Sequence, residues 1–297
     1  MIKHNIFFVL GLSFTQLLVA QSSPKNLENY LRVITKTAEY RNHENLDQLN
    51  QIATYIHNEF EKHSEVLEFQ KYLANGVEYK NVIASFGPSD AKRIIVGAHY
   101  DVCGDQEGAD DNASGVAGIL ELARQLKGKS LNYGVDLVAY TPEEPPYFRS
   151  EAMDSYVHAK FLKENNIDVF GMISVEMIGY FSDEKYSQTY PADILKLFYG
   201  NKGDFITLVN RLNKGKFAKR FSRKYKNQKT IRTKRFGGPP AVPGIDWSDH
   251  LNYWKHGYSA LMLTDTSYLR NKNYHEKTDT LEILDFEKMA KVIDGLL

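Results

Sequence analysis

Two histidines and four carboxylates stand at or just after the ends of short apolar runs in the sequence. These residues are His99, Asp110, Glu143, Glu144, Glu176 and His275. In open α/β sheets, ligands bind at the carboxyl ends of the strands, so these side chains are expected to meet at one edge. Imidazole and carboxylate groups suit zinc or a similar divalent ion. The pattern therefore predicts a metal site, although each residue taken singly is also compatible with a structural role.

The loop after His99 is unusually rich in negative charge. Five carboxylates occur within eleven residues: Asp101, Asp105, Glu107, Asp110 and Asp111. Like charges this close repel one another unless a cation lies among them. The loop therefore supports the hypothesis of a bound cation.

The segments around these residues alternate between strand and helix patterns. Apolar residues at three- and four-residue steps predict a helix over about 45–62, and two strand-like runs around Asn75-Gly76 predict a hairpin. Further helices are expected over 114–129, over 154–165 and after an N-cap at Asp285. This alternation predicts an α/β fold with a mixed, mainly parallel central sheet flanked by helices on both faces.

The composition fits one large globular domain. The chain has 297 residues and a formal net charge of zero, which gives no overall attraction to nucleic acid or to anionic membranes. Eleven of the 22 residues from 214 to 235 are Lys or Arg. We interpret this segment as a solvated helix and strand on a basic insertion of about 200–245, and we expect no nucleic-acid partner.

The first 22 residues have the pattern of a secretory signal peptide. Lys3 and His4 precede an apolar run over 6–20, and small residues follow. Cleavage is expected after Ala20 or Ser22. It would leave a periplasmic or secreted domain of residues 23–297 without stable membrane association. Cys103 is the only cysteine and is expected to be a buried, inert thiol.

Five motifs carry a resemblance to a known family. VGAHYD, GADDNASG, YTPEEPP, VEMIGYFSD and YHEKTDT occur in the order and approximate spacing of the M28 family of zinc metallopeptidases. The likeness extends from about residue 27 to the end of the chain. The chain is most similar to aminopeptidase-type members of a bacterial, secreted branch, and the zinc exopeptidase fold is therefore expected.

The resemblance implies a co-catalytic site with two zinc ions. Asp110 would bridge the ions. His99 and Glu176 would complete the ligands of one ion, and Glu144 and His275 those of the other. Glu176 stands where family members often have Asp.

The same resemblance implies roles in catalysis and substrate binding. Glu143 would be the base that takes a proton from water and passes it to the leaving amine. Tyr274 would stabilise the oxyanion of the tetrahedral intermediate. Asp249 and His250, in a stretch SDH, would line the substrate pocket.

Two aspartates would support the ligands. Asp101 would orient the second ring nitrogen of His99. Asp111 would shape the acidic turn, and its peptide bond to Asp110 would be cis.

The predicted function is an exported zinc exopeptidase, most simply an aminopeptidase acting on peptide substrates, although carboxypeptidase or dipeptidase action stays open. A first alternative is a glutaminyl cyclase-like acyltransferase with a single zinc. Such enzymes typically carry a small residue in place of the second acid after the bridging Asp, and Trp before the final His. Asp111 and Tyr274 at those places favour a peptidase. A second alternative, a non-catalytic binding module, should lack ligands or the base.

Overall fold

The central sheet has eight strands within the part of the chain that the computed structural model describes, residues 21–212 and 215–297. The strands are β1 (Val66–Ala74), β2 (Val77–Phe86), β3 (Arg93–His99), β4 (Gly134–Tyr140), β5 (Val169–Glu176), β6 (Ile206–Arg211), β7 (Thr233–Gly238) and β8 (Ala260–Thr264). Their order is β1-β2-β4-β3-β5-β8-β6-β7. Strands β4, β3, β5 and β8 are parallel, while β2 and β6 join them antiparallel from either side. The predicted mixed, mainly parallel sheet is confirmed.

Helices cover both faces of this sheet. They are α1 (Pro24–Thr35), α2 (Leu46–Glu61), α3 (Gly115–Leu126), α4 (Asp154–Glu164), α5 (Leu195–Tyr199), α6 (Lys216–Gln228), α7 (His250–Lys255) and α8 (Phe286–Asp294). Helices α1, α2, α3, α6 and α8 share the larger apolar core, and α4 and α7 share a smaller one. Among the described residues, no helix is both long and apolar enough to cross a bilayer. The predicted signal peptide falls almost entirely on residues 1–20, outside the described residues.

Local sequence signals explain several element boundaries. Asn75 and Gly76 have φ values of 51° and 83°, the left-handed pair that a two-residue hairpin turn requires, and β1 pairs with β2 across them. Asp285 caps α8 as predicted, because its Oδ1 accepts the Lys288 N–H at 2.9 Å. At the start of α3, Ser114 is itself helical and makes no side-chain cap.

The parallel centre of the sheet brings the predicted site segments to one edge. His99 at the end of β3 lies opposite Tyr140 at the end of β4. Glu176 at the end of β5 lies opposite Thr264 at the end of β8. Since parallel strands end at the same edge, the loops that follow them meet there.

The basic segment forms α6 and the start of β7. Phe217 and Tyr225 of α6 are buried, while its lysines and arginines are exposed. The segment is therefore a solvated helix and strand, as predicted. Strands β6 and β7 extend the sheet beyond β8.

Candidate metal centre

A first group of possible ligands surrounds His99. The Nε2 atom of His99 lies 3.4 Å from Asp111 Oδ1 and 3.5 Å from Glu176 Oε2. All three side chains are buried. An imidazole and two carboxylates therefore converge at the edge where β3 and β5 end.

A second group surrounds His275. Its Nε2 atom lies 3.1 Å from Asp111 Oδ2 and 3.4 Å from Glu144 Oε1. Burial alone would lower the pKa of His275, but the Asp111 carboxylate raises it above its ordinary value. Asp111 thus stands between the two histidines, with one oxygen towards each.

The distances from each histidine to its two carboxylates are close to those between the donors of a zinc ion. Donor atoms bound at about 2.0–2.2 Å to one tetrahedral zinc lie roughly 3.3–3.6 Å apart, and the four distances here are 3.1–3.5 Å. Asp111 Oδ2 and His275 Nε2 are also buried without a hydrogen-bond partner among the described residues. Buried polar atoms normally have a partner, so the second group has two buried polar atoms that a bound cation would satisfy.

Asp110 points away from both histidines. Its Oδ1 accepts the Gly179 N–H at 2.9 Å, and its Oδ2 accepts the Asn271 side-chain amide at 2.8 Å. Burial, and then the carboxylate of Asp265, raise the pKa of Asp110 well above its ordinary value. The expectation that Asp110 bridges the ions is therefore corrected, because Asp111 holds that position.

Backbone contacts explain which of the two aspartates faces the histidines. The carboxylate of Asp279 accepts the N–H groups of Asp110 and Asp111 at 3.0 Å each. Asn112 Nδ2 donates to the Val175 carbonyl at 2.9 Å. The cis peptide bond joins Asp111 to Asn112, one residue beyond the expected position. Sequence reasoning missed Asp279, although it belongs to the quoted motif YHEKTDT.

Asp101 holds both a histidine and the turn that carries the two glutamates. Its Oδ1 lies 3.4 Å from His99 Nδ1. Its carboxylate also accepts the N–H groups of Glu143 and Glu144 at 3.0–3.1 Å. The residue therefore has the position expected of a support for His99 and a further role that its sequence position did not reveal.

The adjacent glutamates have different surroundings. Glu144 faces His275, whereas Glu143 lines the cleft in front of His99. Burial raises the pKa of Glu143 well above its ordinary value, against the lowering effect of His99. Glu143 is thus a carboxylate that can hold a proton beside the ligand groups.

Tyr274 lies where the metal cleft meets an apolar pocket. Its ring stacks on His275 with 3.8 Å between centroids, and burial raises its pKa, so the hydroxyl stays protonated. Trp247, which sequence reasoning missed, lines both cavities as well. The apolar pocket is lined by Tyr199, Phe205, Phe236, Val242, Ile245 and Met262, among others.

Asp249 and His250 do not line either cavity. Both are fully buried. His250 Nε2 donates to the Ile245 carbonyl at 2.8 Å, and burial lowers the pKa of His250 to about 4. Burial raises the pKa of Asp249 to about 6. Their expected place in the substrate pocket is therefore corrected, since neither side chain reaches it and His250 instead holds the backbone of Ile245, which lines the apolar pocket.

Sequence comparison finds relatives over most of the chain. The family model described as Peptidase family M28 matches residues 81–297. "Uncharacterized protein YfbL" of Escherichia coli K12 is 42% identical over 284 residues, with 93% of this chain and 87% of that protein covered. "Probable leucine aminopeptidase 1" of Trichophyton verrucosum is 27% identical, with 91% of this chain and 73% of that protein covered.

Solved structures share the fold. LapB from Legionella pneumophila superposes with a TM-score of 0.72 at 20% identity, covering 94% of this chain and 71% of that one. A glutaminyl cyclase from Tannerella forsythia superposes with a TM-score of 0.67 at 19% identity, covering 93% and 97%. The fold therefore agrees with the sequence match, and the chain belongs to peptidase family M28.

Proposed function

We propose that the chain is an exported dizinc aminopeptidase. The observation that carries this proposal is the position of Asp111, whose two oxygens face His99 and His275 at 3.4 and 3.1 Å. Each histidine also faces a glutamate of its own. These residues would hold two metal ions, which would acidify a bound water and polarise the scissile carbonyl.

The protein groups around the ligands supply proton transfer and charge stabilisation. Glu143 takes a proton from water and delivers it to the leaving amine, a task that suits a buried carboxyl with a raised pKa. Tyr274 donates its hydroxyl proton in a hydrogen bond to the oxyanion that develops on the carbonyl. Asp101 fixes the orientation of the His99 ring and the position of the turn that carries Glu143.

The apolar pocket supports a preference for large apolar N-terminal residues. It adjoins the metal cleft at Glu176, Trp247 and Tyr274, so a side chain beside the scissile bond would enter it. Its aromatic and aliphatic lining favours leucine- or phenylalanine-sized groups. The leucine aminopeptidase names of the fungal relatives agree with this preference.

Export is the proposed localisation, on the signal-peptide pattern of residues 1–22. The structure adds that the Ser22 N–H donates to Asp294 at 2.8 Å and the Ser23 N–H donates to Glu121 at 2.7 Å. The folded domain thus includes residues from Ser22 onward. A mature protein cut after Ala20 would keep both contacts.

A glutaminyl cyclase is the second candidate, because one argument against it is lost. With Asp111 as the bridging residue, the next residue is Asn112 rather than an acid. Glutaminyl cyclases also share the fold. Tyr274 in place of Trp and the complete second ligand group still favour the peptidase.

The products of two peptides separate the candidates. Zinc-loaded protein is incubated with peptides that begin with Leu or with Gln, and the products are identified by mass spectrometry. An aminopeptidase releases leucine. Formation of a pyroglutamyl peptide without hydrolysis would instead establish the cyclase, and intact peptides with zinc bound would indicate a binding module.

Glu143→Gln tests the assigned base in the same assay. Loss of the base is expected to slow hydrolysis by about 10²–10⁴-fold while the zinc content stays unchanged, since Glu143 is not among the proposed ligands. Glu151→Gln, at an exposed position nearby, is the matched control and should keep full activity. Zinc lost together with activity would show that Glu143 is a ligand.

A further inference from the structure

Cys103 has no role in the proposed mechanism, yet it lies beside the second ligand group. Its Sγ, a carboxylate oxygen of Glu144 and a ring nitrogen of His275 all lie within 4.8 Å of one another. The side chain is only partly buried, not the buried thiol that the sequence suggested. A soft donor therefore stands next to a histidine and a carboxylate.

Asp111 supplies an independent sign of a cation at the same place. Its side chain is 2% exposed, and its Oδ2 has no hydrogen-bond partner among the described residues. This oxygen faces His275 Nε2 at 3.1 Å. A buried carboxylate oxygen without a donor is uncommon in proteins, so this oxygen is positioned to bind a cation.

We propose that Cys103 is the fourth protein ligand of the metal ion held by Asp111, Glu144 and His275. The thiolate is the form that binds metals, and the thiol proton passes to solvent on binding. Thiolate sulfur binds zinc at about 2.3 Å. The inference rests on the proposed function only in requiring a metal ion at this site.

A thiolate ligand makes the two metal positions unequal. With Cys103 the ion at His275 would have four protein donors, and a water would be its fifth ligand, a coordination number that catalytic zinc can reach. The ion at His99 would have only three protein donors. Glu143 lines the cleft together with His99, so the base faces the ion with fewer protein donors. The ion at His99 would then leave first on dialysis.

Cobalt provides a direct test, because a thiolate bound to Co²⁺ gives a charge-transfer band in the near ultraviolet. Cys103 is the only cysteine in the sequence, so such a band can arise only there. Metal-free protein titrated with Co²⁺ should show the band at one of two equivalents. Cys103→Ser should lack it and bind one equivalent more than about 100-fold more weakly. Gln106→Ala, which removes an amide that donates to the Cys103 carbonyl at 2.9 Å, should keep the band.

Cobalt bound at full occupancy without the band would overturn the inference, as would unchanged affinity for both ions in Cys103→Ser. Peptide hydrolysis without the band rejects the cysteine ligand alone, whereas the band without hydrolysis rejects the proposed function alone. If Cys103→Ser does not fold, thiol reactivity of the wild-type protein decides. Zinc should slow the reaction of Cys103 with Ellman's reagent more than about tenfold, and equal rates with and without zinc would contradict the ligand assignment.

Discussion

Asp111 is the residue on which both ligand groups depend, since each of its oxygens faces a different histidine. The contacts are 3.4 Å to His99 and 3.1 Å to His275. Loss of this carboxylate would therefore affect both metal positions at once. Asp110, its neighbour, is hydrogen-bonded to Gly179 and Asn271 instead. Substitution of the two aspartates is therefore expected to have opposite effects on zinc binding.

Asp111→Asn is expected to abolish binding of both zinc ions, because it removes the shared carboxylate. Asp110→Asn is its matched control and should retain two equivalents, with affinity reduced at most about 100-fold through its indirect contact with the loop. Metal content after gel filtration, measured by mass spectrometry, distinguishes them. Loss of zinc from Asp110→Asn but not from Asp111→Asn would show that Asp110 bridges the two ions after all.

Residue types and order were enough to predict most of the candidate site. His99, Glu144, Glu176 and His275 come together at the expected sheet edge. The sequence could not show which of the two adjacent aspartates faces the histidines, because this depends on how the Asp279 carboxylate holds the N–H groups of the loop. A sequence motif also does not show which of its side chains reach the cleft, and Asp249 and His250 of the SDH stretch do not.

Among the secondary-structure elements, β6, β7 and β8 would contribute most to the substrate preference that we propose. Val209, Phe236 and Met262 from these strands line the apolar pocket beside the metal cleft. The loop before α7 adds Val242 and Trp247. The pocket is therefore built by elements at the far side of the sheet from the hairpin.

Val242→Phe is expected to narrow this pocket. Catalytic efficiency towards leucine substrates should fall about 10–200-fold relative to alanine substrates, the range for one misfitted apolar group. Val66→Phe, the same change at an exposed position of β1, should leave the ratio unchanged. Equal losses for leucine and alanine substrates in Val242→Phe would place the substrate side chain elsewhere.

A buried histidine links three elements on the smaller core and makes their packing sensitive to acid. His158 of α4 accepts the Tyr253 hydroxyl of α7 through Nδ1 at 2.6 Å and lies 3.3 Å from the Tyr140 hydroxyl of β4. Burial lowers the pKa of His158 to about 4. Because the folded pKa lies below the unfolded value near 6.5, the neutral ring stabilises the fold fully above pH 6.5. That contribution is lost as the pH falls from 6.5 to 4.

His158→Gln should therefore reduce the loss of unfolding free energy between pH 7 and pH 4.5. The difference between the two pKa values corresponds to roughly 3 kcal/mol at most. Urea unfolding of both proteins at the two pH values measures it. An equally steep loss in the variant would show that His158 is not the responsible group.

The sheet centre was easier to predict than its edges. Runs such as RIIVGAH and YGVDLVAY are buried on both faces of parallel strands and have continuous apolar sequences for that reason. Strand β7 carries Lys234 and Arg235 and lies at the edge of the sheet. The basic composition predicted a helix and a strand on an insertion, but it did not show that the strand extends the central sheet.

For the whole molecule, one continuous sheet and a shared apolar core fit a single domain within the described residues. The contacts of Ser22 and Ser23 with α8 and α3 tie the start of the described chain to the core. These contacts favour cleavage after Ala20 over cleavage after Ser22.

Expression in a bacterial host should thus yield a periplasmic or secreted protein whose first residue is Gln21. N-terminal sequencing of the fractionated protein measures this. A cytoplasmic protein that retains Met1 or begins at Ile2 would contradict export. A protein that starts at Ser23 would show that the Ser22 contact is dispensable.

The central claim is that two metal ions lie on either side of Asp111. A crystal of the zinc-loaded protein, measured at the zinc absorption edge, tests it most directly through the anomalous difference map. We predict two peaks about 3.5–4 Å apart, one beside His99 and Glu176 and the other beside Glu144 and His275. A single peak, or peaks that bypass the Asp111 carboxylate, would contradict the account.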